Sequence, residues 1–280
     1  MEIFVSSINF VTQKQRRLSE IVPAMLDAGL RNIEISSIHP YEPGIQDKLM
    51  EWRSEARMLF HNYAPPSQED LLLNLSSRNP ENRKRSAEFI RDRILLCKKL
   101  GIDYYSFHAG FCVEYEFGRT DYTDIMPRKE GLDVFIEEVR DLADFAKSTG
   151  VHIGVENHVS KRNTQQLLFL DDIADFAYFF NQLDNNYLHL HLDLGHLNVS
   201  AVTRGFSKDD FIQKFSDKIF AIHAHDNDGS YDEHSPLSRD SWYLGALSDL
   251  ERLKYIILET ETTGNLEQIT QMIDTVSSVI

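Results

Sequence analysis

The fold this sequence predicts is a single (β/α)8 barrel, and three observations predict it. Short apolar β-type runs alternate with helical patterns along all 280 residues. Eight such units fit a chain of this length as one TIM-barrel domain spanning residues 1–280. The turn after the first strand, Ser6-Ser7-Ile8-Asn9-Phe10, contains no glycine. That sets aside the runner-up, a doubly wound sheet, which would usually carry a Gly-rich phosphate loop there.

The elements follow in order. Strand Ile3–Ser7 leads into a helical pattern over Lys14–Ala28, stopped by Gly29. Strand Asn32–Ser36 precedes helix Ile45–Arg53, and strand Met58–Tyr63 precedes helix Asn82–Leu100, which Gly101 ends. Strand Tyr104–Ala109 precedes helix Arg128–Ser148, ended by Gly150. Strand Val151–Asn157 is followed by helix Gln165–Asn181, and strand Tyr187–Asp193 by helix Lys208–Ser216. Strand Ile219–His225 leads to helix Ala246–Leu253, and strand Tyr255–Glu259 to helix Leu266–Val279.

Composition narrows the function. Two cysteines, Cys97 and Cys112, cannot build a disulfide framework or a four-thiolate zinc site, and their scarcity suits a reducing, cytoplasmic setting. No apolar run approaches the ~20 residues of a membrane span. The opening Met1-Glu2 has no basic region and apolar core behind it, so no signal peptide is expected. The charge is 29 − 44 = −15. A field of that sign disfavours nucleic acid and anionic membranes without excluding nucleic acid, because bound metal ions or a local basic patch can reverse the sign at a site.

Barrel chemistry gathers at the C-terminal ends of the strands. The third strand ends Phe60-His61-Asn62, the fourth Phe107-His108-Ala109-Gly110, and the fifth Val155-Glu156-Asn157-His158. The sixth gives Leu192-Asp193-Leu194-Gly195-His196. The seventh gives Ile222-His223-Ala224-His225-Asp226, then Asp232-Glu233-His234, and the eighth Leu258-Glu259-Thr260. Strand alternation turns His189, His191 and Asp193 inward and does the same for His223 and His225. Inward carboxylates and imidazoles are costly to bury without partners, and a divalent cation such as zinc, manganese, cobalt or iron is the simplest one. Singly, each residue reads as an ordinary hydrogen-bonded side chain; the joint pattern carries the metal reading. His39, His152 and His158 read as structural or surface residues, His189 and His191 as interior packing behind the ligands, and Cys97 as a core thiol.

These stretches resemble the xylose isomerase-like TIM-barrel superfamily, which holds sugar isomerases and epimerases, inosose dehydratases and endonuclease IV. The likeness runs through Phe60-His61, Ser106-Phe107-His108-Ala109-Gly110, Gly154-Val155-Glu156-Asn157, Asp193-Leu194-Gly195-His196, the run from His223 to His234, and Leu258-Glu259. It implies one divalent metal on Glu156, Asp193, His223 and Glu259, as in the isomerases and epimerases. It also implies two further zinc ions if the endonuclease IV pattern holds, using His61 and His108 on one side and His196, Asp232 and His234 on the other. His225 is the alternative to His223, and spacing to Asp226 favours His223. The chain departs from its relatives after His234, where Ser235-Pro236-Leu237 replaces the usual approach to a Gly-x-Gly turn.

The resemblance therefore implies a metal-dependent sugar or sugar-phosphate isomerase or epimerase, with zinc or manganese, one to three ions, and a small carbohydrate as partner. Glu156 and Glu259 would exchange the proton next to a carbonyl, with His196 as a further catalytic group. His61, His108, His225, Arg204 and Arg239 are the candidate substrate contacts. Keto-sugar or inosose dehydration shares the first step. The competing reading is a trinuclear zinc phosphodiesterase acting on abasic DNA, against which stand the net charge and the scatter of Arg119, Arg128, Lys129, Lys161, Arg162, Arg204 and Arg239 among acids. A metal-binding barrel without catalysis is a third class. The aromatic loop Phe111–Met126, with Tyr115, Phe117 and Tyr122, is expected to be a lid, an oligomer contact or simple packing. A homo-oligomer is compatible with the family.

Overall fold

The structure is a computed structural model that describes residues 1–68, 71–114, 125–159, 161 and 167–280. Tyr115, Phe117, Tyr122, Arg119 and Arg162, and the start of the expected helix Gln165–Asn181, lie outside the described residues.

Eight parallel strands close in sequence order: β1 Glu2–Ser6, β2 Asn32–Ile35, β3 Arg57–His61, β4 Tyr104–His108, β5 His152–Glu156, β6 Leu188–Asp193, β7 Ile219–Ala224 and β8 Tyr255–Leu258. β1 pairs with both β2 and β8, so no strand edge is left open. Every strand lies within two residues of its expected position. The outward side chains pack under helices α1 Leu18–Asp27, α2 Ile45–Trp52, α3 Pro80–Leu100, α4 Arg128–Thr149, α5 Ile173–Gln182, α6 Leu194–Arg204, α7 Lys208–Phe215 and α8 Leu266–Ser277. Phe135, Phe169, Phe176, Phe179 and Phe211 are fully buried in that layer. Among the described residues, no helix is long and apolar enough to cross a membrane.

Four departures from the sequence reading have physical causes. Helix α1 starts at Leu18 rather than Lys14, because the Thr12 hydroxyl takes the backbone N–H groups of Lys14 and Gln15 in a turn. Helix α5 starts at Ile173, where the Asp172 carboxylate caps the N–H of Asp175. The expected helix Ala246–Leu253 is a 3-10 turn over Leu244–Asp249. Its buried leucines, Leu244, Leu247, Leu250 and Leu253, recur every third residue. That row stays in line at 3.0 residues per turn and drifts off it at 3.6. Helix α6 has no counterpart in the sequence reading. Residues Leu194 to Ala201 are all buried, so α6 carries no polar stripe to mark its period.

Candidate metal centre

Strand register sets the level of the side chains at the barrel mouth. His61 lies beside Ser106, His108 beside Glu156, and Asp193 beside His223. His225 and Glu259 follow the last residues of β7 and β8 by one position. The first turn of α6 brings His196 over the same mouth. Asp232 and His234 arrive on a loop closed by paired backbone bonds between Asp226 and Ser235 (2.8 and 2.9 Å). Within it, Asn227 donates to the Gly195 carbonyl and Gly229 takes a positive φ of 84°. His234 itself sits at φ 46°, a left-handed backbone rare for a non-glycine residue.

Among the described residues five groups of donor atoms result: Glu34–His61–His223, His225–His234–Glu259, and three that meet at Glu156, His223 and Asp232. His61 Nε2 and His108 Nε2 stand 3.1 Å apart, and each is 3.2 Å from Glu156 Oε2. The other oxygen, Glu156 Oε1, is 3.4 Å from His223 Nδ1, which is also 3.7 Å from Asp193 Oδ2 and 3.0 Å from Glu259 Oε2. In the last group Asp232 Oδ2 lies 3.1 Å from His196 Nε2 and 3.3 Å from His234 Nε2. Ligand atoms about 2.1 Å from one tetrahedral ion stand about 3.4 Å apart, close to these spacings.

The far nitrogens reinforce the pattern. His196 Nδ1 is 2.9 Å from the Asn157 carbonyl, and His234 Nδ1 is 3.0 Å from the Glu259 carbonyl. A carbonyl only accepts, so both rings carry a proton on Nδ1, and when neutral both aim an Nε2 lone pair at Asp232. Glu156 Oε2, His223 Nδ1 and Asp232 Oδ1 are buried with no hydrogen-bond partner among the described residues. Each of these three groups thus holds one orphaned polar atom, which a cation in that group could satisfy, and mixed carboxylate and imidazole donors fit zinc or manganese.

Burial and charge shift these groups strongly. Burial alone would raise the Glu156 carboxyl, but His61, His108 and His223 outweigh it and hold the group well below its ordinary range. Glu259 is likewise opposed by burial and still brought to about 2 by His223 and His234. Burial lowers His61 to about 3, leaving a neutral imidazole at neutral pH. His234 moves the other way, against burial, to about 10, through its contact with Asp232. His196 and His223 are likewise held above the ordinary imidazole range, against burial, by the carboxylates around them.

His225 belongs to a further donor group, with His234 and Glu259. Its Nε2 lies 3.1 Å from both Asp193 oxygens, and its ring stacks on His234 at 4.2 Å. A Cβ at position 195 would stand 1.9 Å from the His225 ring, so only glycine admits it. His191 packs beneath the centre with Nδ1 3.0 Å from the Tyr104 hydroxyl, and His189 bonds His152 at 2.8 Å at the opposite end of the barrel.

The structure does not bring Arg204 into the cluster. Its guanidinium grips the carboxylate of Asp171 at 2.7–3.2 Å, and Arg128 binds the same carboxylate. Arg239 is exposed on a turn of the loop after β7. A groove of about 660 Å3 between α2 and α3 holds none of these residues.

Two residues escaped the sequence reading. Asn157 exchanges two hydrogen bonds with the Asp193 backbone, at 2.7 and 3.0 Å, fixing the end of β6. Glu34 on β2 is buried, and its Oε2 lies 2.9 Å from His223 Nε2. The alternation Ile33-Glu34-Ile35 was the available signal, since it turns an acid into the barrel.

The sequence profile described as xylose isomerase-like TIM barrel matches residues 1–276. An uncharacterised protein of Methanocaldococcus jannaschii is 26% identical over 260 residues, covering 91% of this chain and 80% of its own length. D-psicose 3-epimerase of Ruminiclostridium cellulolyticum is 28% identical over 132 residues, 47% of this chain and 42% of the enzyme. Among solved structures, a D-tagatose 3-epimerase-like protein superposes with a TM-score of 0.77 at 21% identity, covering 100% of this chain and 98% of that one. The IOLI protein with a bound zinc atom gives 0.74 at 16%, covering 100% and 99%. At these identities the structural likeness speaks for the fold.

Proposed function

The chain belongs to the xylose isomerase-like TIM-barrel family, and from that premise we propose that it is a divalent-metal-dependent isomerase or epimerase of a sugar or sugar phosphate. One observation carries the proposal: Glu156, Asp193 and Glu259, from three strands, converge on the orphaned Nδ1 of His223. These four would hold one zinc or manganese ion. Relatives named as ketose 3-epimerases, and one solved with zinc, support the same reading. When bound, such an ion supplies Lewis acidity to a carbonyl and its neighbouring hydroxyl.

The chain's own groups then move the proton. Glu156 and Glu259 reach His223 Nδ1 from different strands, so a sugar seated between them meets one carboxylate on each side. One takes the proton from the carbon beside the carbonyl, and the other returns a proton to the enediolate so formed. His61 and His108 face the other oxygen of Glu156 and would bind sugar hydroxyls, with His196 beside them as a proton carrier. Dehydration of a keto-sugar or inosose would begin with the same proton removal.

A specific observation favours a second reading. The groups His61–His108–Glu156 and His196–Asp232–His234 could hold two more ions, as a trinuclear zinc phosphodiesterase acting on abasic DNA would require. Against it, Arg128 and Arg204 are engaged with Asp171, which removes two cations from any DNA-binding surface. Elemental analysis of protein purified without chelator separates the two. About one ion per chain, with solvent-deuterium exchange into a ketose, supports the isomerase; about three zinc ions with cleavage of abasic DNA overturns it.

A further inference from the structure

We infer that Glu34 is a positioning residue for His223: it holds the proton on Nε2 and so keeps the Nδ1 lone pair aimed at the centre. The inference rests on the metal-centre reading above.

Glu34 and His223 are both buried. Glu34 Oε2 is 2.9 Å from His223 Nε2, and an ionised carboxylate can only accept, so with Glu34 charged the ring nitrogen is the donor. A neutral imidazole has one N–H, so a proton fixed on Nε2 leaves Nδ1 bare. That nitrogen is the one facing Glu156, Asp193 and Glu259, and it has no hydrogen-bond partner among the described residues. The alternative tautomer would present Nε2 without a proton to a carboxylate and an N–H to the ion. Strand geometry makes the pairing rigid. Ile33 and Ile35 anchor β2 in the core on either side, and His223 is held in register between Asp193 of β6 and Ile257 of β8. Glu34 therefore reaches across the barrel interior to the ligand's far side, where it fixes ring orientation and adds basicity at Nδ1.

The test is zinc affinity of the full-length chain, measured by chelator competition, for wild type, Glu34→Gln and Glu34→Leu. Glu34→Gln keeps size and can still accept weakly from Nε2–H, so a loss of about 10-fold is expected; Glu34→Leu removes the acceptor, with a loss of about 100-fold. The second readout is the nitrogen-15 and imino-proton spectrum of the zinc-loaded protein. Wild type should show a protected His223 Nε2–H, shifted upfield in Glu34→Gln. Stoichiometric zinc with equal affinity in wild type and Glu34→Gln, or an Nδ1–H signal from His223, overturns this inference alone. A wild-type chain that takes up no zinc overturns it together with the metal-centre reading.

Discussion

The carboxylate of Asp193 caps the helix that carries His196. Its Oδ1 accepts the His196 backbone N–H at 2.6 Å, while Oδ2 turns toward His223 Nδ1. One side chain therefore closes β6, starts α6 and faces the proposed metal. The two roles separate by substitution. Asparagine caps as well as aspartate but lacks the charge that faces His196 and His225, so Asp193→Asn should lose activity, metal and part of the stability of the metal-free protein. Asp193→Ala should lose about 1 kcal/mol more stability. Equal denaturation midpoints for the two variants would contradict the cap.

Glu156→Gln and Glu259→Gln should each lower turnover by about 10²-fold or more while leaving the circular dichroism spectrum and folding cooperativity intact, the scale expected for removing a general base. Steady-state kinetics on the best ketose found by exchange screening makes the comparison. Retained activity in both variants would remove these carboxylates from the chemistry.

Metal removal should destabilise the fold. An ion present at about 100 times its dissociation constant adds about 2.7 kcal/mol to the folded state. For a chain of this size that is a shift of roughly 5 °C or more. Thermal scans with and without chelator, and after zinc or manganese is restored, read it directly. An unchanged midpoint would speak against a bound ion.

Acid should weaken the barrel through His189. Burial, and then the neighbouring His152, lower this imidazole to about 3, below its unfolded value. The unfolded chain therefore takes the proton first as pH falls. The contribution is constant above pH 6.5 and is lost on acidification toward the folded value. The slope is about 1.4 kcal/mol per pH unit, or about 3 kcal/mol between pH 6.5 and 4. Urea unfolding of chelated wild type and His189→Leu should show the wild type losing that much more over this interval; parallel losses would refute the assignment.

Arg204 should matter for stability and not for substrate. Removing it leaves buried Asp171 with Arg128 but one guanidinium short. Arg204→Met should cost on the order of 2 kcal/mol, at or below the range for breaking a buried pair, with KM unchanged. A raised KM without loss of stability would return Arg204 to the substrate site.

The barrel is legible in the sequence because each strand is a short apolar run and each strand end is marked by its own polar residue. Asp193 and His223 are legible for the same reason, since a period of two assigns their face without knowledge of the neighbouring strand. Glu34 is not, because its partner His223 lies 189 residues away and local pattern names no partner for a single inward acid. Helix α6 is hidden because its residues from Leu194 to Ala201 are buried whatever their face. Arg204 looks like a free cation in sequence, and only the packing of α6 against the segment carrying Asp171 shows that its charge is already neutralised.

The two outer imidazoles, His196 and His234, take their proton placement from main-chain carbonyls. A carbonyl survives any replacement of the side chain above it. Exchange of the Glu259 side chain would leave the acceptor of His234 in place. The orientation of His234 is thus set apart from the carboxylate chemistry proposed for Glu259. Glu259 can change its side chain, and with it the donor offered to an ion, while the imidazole beside it keeps its aim.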